Sequence, residues 1–202
     1  MNANFWNKAA GLYDFFETVY NGKVYREFPL KVAEFINAED KVLECACGTG
    51  IISRVVAPKC HSLIATDYSE GMIKQAQKNN PSLNNTTFCV ANITQLNYAD
   101  ETFDKVIAGN VIHLLDEPQK AMQELERVCK KGGMIILPTY INHEKTGKPS
   151  FIVRFLKRIG VDFKMQFTMK TYQEFLSSMG YSNAEYYKID GKMPNAIAVI
   201  KK

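Results

Sequence analysis

Apolar positions recur along this chain at two different spacings. Between residues 5 and 36 the spacing is helical: Trp6, Leu12, Phe15, Phe16, Val19 and Tyr20 return every three or four positions. Asn21-Gly22 carries turn chemistry, so the pattern predicts one helix before it and a second from there to about residue 36. The polar run Asn37 to Asp40 predicts a turn. Beyond it, short apolar runs alternate with helical stretches. Strands are expected at 42–46, 62–66, 87–91, 103–109 and 134–138, and helices at 51–57, 69–78 and 118–129. Strand and helix alternating at this spacing predict a mostly parallel sheet with helices on both faces. Right-handed crossovers leave few topologies for it. The tail is different. A helix near 171–179 precedes two extended runs, 182–189 and 196–200, joined by a short turn from Asp190 to Asn195. That is a hairpin, and it makes the last strand antiparallel.

Composition narrows the class. With 202 residues the chain has the length of one domain with a full core. The hydrophobic fraction of 46% and the charged fraction of 23% are those of ordinary globular proteins. A net charge of +4 without a basic stripe argues against a nucleic-acid partner. No apolar run reaches the roughly 18–20 residues that span a bilayer. The first residues, MNANFWNKAAGLYDFF, lack the basic flank and apolar stretch of a secretory signal. Five cysteines, an odd number, are expected as free thiols in a reducing cytoplasm. Internal repeats and low-complexity tracts are not seen.

The densest chemistry lies in VLECACGTGIIS, residues 42–53. In a doubly wound sheet, ligands sit beyond the carboxyl ends of the strands, so the loop after the first strand is the first candidate. Gly48 and Gly50 permit a tight turn and close backbone approach. The following helix points its free N–H groups at whatever lies there. Taken alone, such a loop is equally a plain strand-to-helix turn. Asp67 ends the next apolar strand, 17 residues after Gly50, where a carboxylate accepts two hydrogen bonds from a ribose diol. A helix cap is its structural alternative, and Ser69 competes for that role. Asn92 ends the third strand, placed to accept from an adenine amino group. Together these three read as a nucleoside site.

The third glycine of the dinucleotide fingerprint is replaced by Ser53, and the small residues extend upstream instead. Glu44 to Gly50 resembles motif I of the class I S-adenosylmethionine-dependent methyltransferases, E/D-x-G-x-G-x-G, with Ala46 for the first glycine. Thr66 to Met72 is similar to the D-x-S-x-x-M segment of that family. Val90 to Ile93 resembles its adenine segment, with Asn92 where Asp is commoner. Phe103 to Ile107 with Asn110 to Pro118 is similar to the F-D-x-V…L-H-H-L-x-D-P run of the ubiquinone/menaquinone-biosynthesis-like branch. Glu126 to Gly133 resembles its R-V-L-K-P-G-G turn, with Lys131 for proline. The resemblance covers about residues 40–140. It implies a Rossmann-like, doubly wound, seven-stranded α/β sheet in one domain. Within it, 1–37 would be an N-terminal helical cap, 38–140 the cofactor-binding core, 141–170 a substrate-cover insertion, and 171–202 the C-terminal helix and hairpin.

The resemblance also implies roles. Glu44 would steer the methionine ammonium, directly or through water, and backbone at Ala46, Cys47 and Gly48, turned by Gly50, would line the amino-acid moiety. Asp67 would hold the ribose. Tyr68 or Met72 would pack on adenine, with Asn92 and Ile93 at its edge. Asn110 would lie near the methionine carboxylate and the reactive methyl. Tyr13 and Tyr20 of the cap are possible contacts, or plain core. Methyl transfer is an in-line displacement whose reactivity the cofactor carries. A general base is needed only for a protonated acceptor. His113 is the best-placed candidate, with Tyr140 and His143 next, and His113 also reads as structural.

The cysteine spacing does not match zinc, and the thiols read as small core residues. Residues 143–170 hold seven Lys or Arg and two acids. Their apolar-basic stretch, 150–159, reads as a lid over a small-molecule acceptor, as a transient contact with an anionic membrane surface, or as a helix docked on the sheet. The expected activity is transfer of a methyl group to a small-molecule acceptor, giving S-adenosylhomocysteine. An NAD-dependent oxidoreductase and a non-catalytic S-adenosylmethionine-binding domain are the alternatives.

Overall fold

Lys41–Cys45 forms strand β1, and its last four residues are buried. Its neighbours explain why. Strand β2 (Ser62–Asp67) pairs with it in parallel on one side and β4 (Phe103–Ala108) on the other. A mid-sheet parallel strand has no wet face, so it is written as an almost continuous apolar run. The computed structural model describes residues 19, 21–143 and 164–202. In it, β3 (Thr86–Val90) lies outside β2, and β5 (Cys129–Tyr140) outside β4. Strand β7 (Asn195–Lys201) runs antiparallel between β5 and β6 (Glu185–Ile189). The seven-stranded order is β3-β2-β1-β4-β5-β7-β6. The chain moves outward from β1 to β3 and then returns to β4. The switch point, where such sheets bind ligands, therefore lies between β1 and β4.

Successive strand residues point to opposite faces. Val42, Ile107 and Ile136 pack on one side, and Leu43, Val106 and Ile135 on the other. The first face carries α1 (residues 21–33), α2 (Ile51–Val56) and Ile73 of α3 (Glu70–Asn79). The second carries α4 (Pro118–Val128) and α5 (Met169–Ser178). Ala121, Met122, Leu125 and Val128 form the buried stripe of α4, at helical spacing.

Two boundaries depart from the expected ones for identifiable reasons. Asn21-Gly22 does not form a turn, since both lie in the helix of residues 21–33. The Asn21 amide is used across the fold: Nδ2 donates to the Met193 carbonyl (2.8 Å), and the Met193 N–H donates to Oδ1 (3.3 Å). This ties α1 to the β6–β7 connection, where a Cβ on Gly191 would strike Val24. Strand β5 begins at Cys129, five residues earlier than expected. Gly132, with φ of 76°, and Gly133 remain in the strand because the chain terminus pairs with them. The Gly132 N–H donates to the Lys202 carbonyl, and the Lys202 N–H to that of Gly133. The first part of the expected cap, Tyr13 and Tyr20, and most of the 141–170 segment with its 150–159 stretch lie outside the described residues.

Candidate active site

After Cys45 the chain must leave the sheet and enter α2 within five residues. It does so through three left-handed positions: Ala46 (φ 55°), Gly48 (φ 55°) and Gly50 (φ 84°). Ala46 carries a Cβ in a conformation that disfavours one, which is the physical sense of glycine being usual there. The Cys47 N–H donates to the Thr66 carbonyl (2.8 Å), and the Gly50 N–H to the Cys47 carbonyl (2.9 Å). A Cβ on Gly48 would meet nothing within 4 Å, so bare backbone faces open space there.

The back of the loop is held by the end of α3. Asn80 Nδ2 donates to the carbonyls of Ala76 (2.8 Å) and Thr49 (3.4 Å), and Asn79 Nδ2 also reaches Thr49 (3.2 Å). Asn80 Oδ1 accepts from Arg54 Nε of α2 (3.1 Å). A Cβ on Gly50 would collide with the Asn80 amide, so glycine is required there twice over. Asn80→Ala removes these hydrogen bonds between α3, α2 and the loop, although Asn79 still serves the Thr49 carbonyl, and is expected to lower stability by about 1–2 kcal/mol in urea unfolding.

Asp67 closes the other side. Its Oδ2 accepts from the Gly48 N–H (2.9 Å) and its Oδ1 from the Ser69 N–H (2.8 Å). Burial raises its pKa, and the backbone N–H groups of Ser69, Gly48 and Tyr68 oppose that shift. The cap of α3 is Ser69, whose hydroxyl accepts from the Met72 N–H. Asp67 is thus released from the capping role and joins the second strand to the glycine loop.

Between these groups lies a cavity open to solvent. Ala46, Cys47, Gly48, Asp67, Tyr68, Met72, Asn110 and Tyr140 line it, as do Tyr25 and Phe28 of α1. Gly50 is buried in the turn behind it. Glu44 is wholly buried two residues before Ala46. Its Oε2 accepts from the Ser53 hydroxyl (2.5 Å), and its Oε1 has no partner among the described residues. Burial pushes its pKa up to about 8, with the Ser53 hydrogen bond opposing and the nearby Asp67 adding to the shift.

Asn92 and Ile93 are not brought to this cavity's lining. The exposed Asn92 Oδ1 accepts from the N–H (3.0 Å) and hydroxyl (2.9 Å) of Thr94, and Ile93 is buried in the core. His113 sits in the short 3-10 turn Ile112–Leu114 and is buried. It borders a smaller adjoining cavity with Asn142, Met165, Phe167 and Met193, and Tyr140 lines both cavities. Burial lowers the His113 pKa to about 4, so its imidazole is neutral at neutral pH. Burial likewise raises the thiols of Cys45 to about 12 and of Cys60 and Cys129 to about 11, and that of Cys47 well above its usual value. None of these four is a thiolate nucleophile at neutral pH. Among the described residues, no group of His, Cys, Asp or Glu is arranged to hold a metal, and no helix is long and apolar enough to cross a membrane.

The residues fit a nucleoside with a charged amino-acid tail. Bare backbone at Gly48 allows close approach, Asp67 supplies an acceptor pair, and Met72 offers an apolar wall. Glu44, with its unpartnered Oε1, lies buried behind the loop and outside the cavity's lining. Tyr25 and Phe28 were legible as the inward face of a helix, one turn apart, but nothing in the sequence distinguished a cavity wall from core. Asn195, described below, carried no signal.

A mostly parallel sheet with this switch point, glycine loop and acid is a Rossmann-like fold with a candidate nucleoside site at its switch point. Residues 43–137 match the methyltransferase domain family. An uncharacterized chloroplastic methyltransferase of Arabidopsis thaliana is 30% identical over 172 residues, covering 80% of this chain and 48% of that protein. A ubiquinone/menaquinone biosynthesis C-methyltransferase of Bdellovibrio bacteriovorus is 30% identical over 139 residues, covering 66% and 59%. The chain therefore spans about half the length of the curated relatives it matches. The crystal structure of a Thermotoga maritima S-adenosylmethionine-dependent methyltransferase superposes with a TM-score of 0.71 at 19% identity, over 98% of this chain and 99% of that one. The chain belongs to the class I S-adenosylmethionine-dependent methyltransferases, on their ubiquinone/menaquinone-biosynthesis-like branch.

Proposed function

We propose that this protein transfers the methyl group of S-adenosylmethionine to a small-molecule acceptor and releases S-adenosylhomocysteine. The observation that carries this reading is the Asp67 carboxylate bonded to the bare Gly48 backbone in a cavity that Met72 and Asn110 also line. S-adenosylmethionine, when bound, supplies an electrophilic methyl group on a sulfonium. Asp67 holds the ribose hydroxyls, and backbone at Ala46, Cys47 and Gly48 follows the amino-acid end. Glu44 balances the ammonium, and Asn110 meets the carboxylate. Met72 and Tyr68 cover the adenine. Asn92 reaches the adenine edge only by giving up its turn with Thr94.

The protein's contribution to the reaction is alignment and exclusion of water. Tyr25, Phe28 and Tyr140 close the cavity, and the acceptor enters on the Tyr140 side, towards His113. The neutral imidazole of His113 is able to take a proton, but a pKa of about 4 makes it a weak base. That suits an acceptor that is already nucleophilic. The name of the Bdellovibrio relative points to a carbon atom of a quinone precursor. The free thiols agree with a cytoplasmic location. The dehydrogenase alternative is disfavoured by Ser53, whose hydroxyl is committed to Glu44.

The test is incubation with methyl-labelled S-adenosylmethionine and a fractionated cell extract. Label is expected in the small-molecule fraction. Label confined to protein or nucleic acid would contradict the reading. Cofactor binding with no transfer to any fraction would favour the non-catalytic domain.

A further inference from the structure

Strand β7 opens Asn-Ala-Ile-Ala-Val-Ile, and all six residues are buried. Five are apolar. The sixth, Asn195, has no exposed surface. Its backbone already pairs with Tyr140 on one side and Ile189 on the other, so the ladder does not need this side chain. The amide is also poorly served. Nδ2 donates to Asn110 Oδ1 (2.9 Å), while Oδ1 is buried without a partner among the described residues. A buried amide half-satisfied in this way lowers stability relative to an apolar residue of similar size. The single side-chain partner it has, Asn110, lines the cavity.

Asn110 is fixed in every respect except its amide rotation. Its backbone is left-handed (φ 53°), and its N–H donates to the Pro138 carbonyl (2.7 Å). With Oδ1 taken by Asn195, the amide shows its other end, Nδ2, which makes no hydrogen bond among the described residues. An N–H pair held towards the cavity suits a carboxylate, and a carbonyl oxygen in the same place would repel one.

We infer that Asn195 is a positioning residue: it fixes the Asn110 amide with its donor towards the cavity, so that the site selects ligands with an anionic amino-acid end. This rests on the cofactor reading above. Asn195 touches no ligand and acts only through Asn110.

The experiment titrates wild type and Asn195→Ala with two ligands. One is S-adenosylhomocysteine. The other is 5′-deoxy-5′-methylthioadenosine, which has the same nucleoside and thioether but no amino-acid end. Asn195→Ala is expected to bind the first roughly tenfold more weakly, the scale of one charge-assisted hydrogen bond, and the second as wild type does. Asn195→Ser, too short to reach Asn110, serves if the alanine variant folds poorly, with the same expectation. In an Asn110→Ala background, Asn195→Ala is expected to have no further effect on S-adenosylhomocysteine. Equal weakening of both ligands, or no weakening of either, would overturn the inference. Failure of wild type to bind either nucleoside would overturn the cofactor reading and this inference with it, and that failure shows before any variant is made.

Discussion

Asp67→Ala is expected to weaken binding of S-adenosylhomocysteine by at least about 100-fold, which is about 2.7 kcal/mol. Three losses act together. The ribose loses a carboxylate that accepts two hydrogen bonds, each worth about 1.5–3 kcal/mol when the acceptor is charged. The Gly48 N–H loses its partner at 2.9 Å, which frees the loop that must follow the amino-acid end. The Ser69 N–H loses its partner at 2.8 Å as well. The fold is expected to survive, because the cap of α3 is the Ser69 hydroxyl and not Asp67. Isothermal titration calorimetry of the variant, with an unfolding curve beside it, separates the two effects. Retention of wild-type affinity would remove Asp67 from the site.

The second large effect is a pH dependence set by Glu44. Burial holds this carboxyl protonated up to a pKa of about 8 in the ligand-free protein. A ligand ammonium beside it favours the ionised form, so the pKa falls on binding. Affinity for S-adenosylhomocysteine is then expected to rise by up to about tenfold per pH unit towards pH 8 and to level off above it. Near pH 7 binding releases protons, measured as a dependence of the calorimetric enthalpy on the buffer's ionisation enthalpy. Glu44→Gln is expected to flatten the profile. The sign for stability is opposite. The folded pKa of Glu44 lies above the unfolded value of 4.5, so its contribution to the ligand-free protein is fully present below that pH. It is lost as pH rises towards about 8. A ligand affinity that does not vary between pH 6 and 8 would show that no cation reaches Glu44.

The sheet was legible because parallel strands buried on both faces leave nearly continuous apolar runs, as in Val42 to Cys45, broken only by Glu44, and Val106 to Ala108. The hairpin was legible from the short turn between Asp190 and Asn195. Local chemistry misled where a polar side chain found a distant partner. Asn21 reads as a turn residue, yet it bonds the Met193 backbone 172 residues away. Gly132-Gly133 reads as a turn, yet it pairs with the chain terminus. The glycine loop and Asp67 were legible because their left-handed backbone and strand-end position require particular residue types. Asn80 and Asn195 were not. They act through contacts with Thr49 and Asn110 that no sequence spacing encodes. Asn92 shows the converse: the motif position is present, but its side chain closes a turn on Thr94.

The most direct test of the central claim is calorimetric titration of the wild-type protein with S-adenosylhomocysteine and, separately, with NAD. The account predicts one site per chain for S-adenosylhomocysteine, with micromolar affinity or better, and no heat of binding for NAD. Binding of NAD without S-adenosylhomocysteine would contradict it, and would turn the loop at residues 46–50 into a dinucleotide cradle.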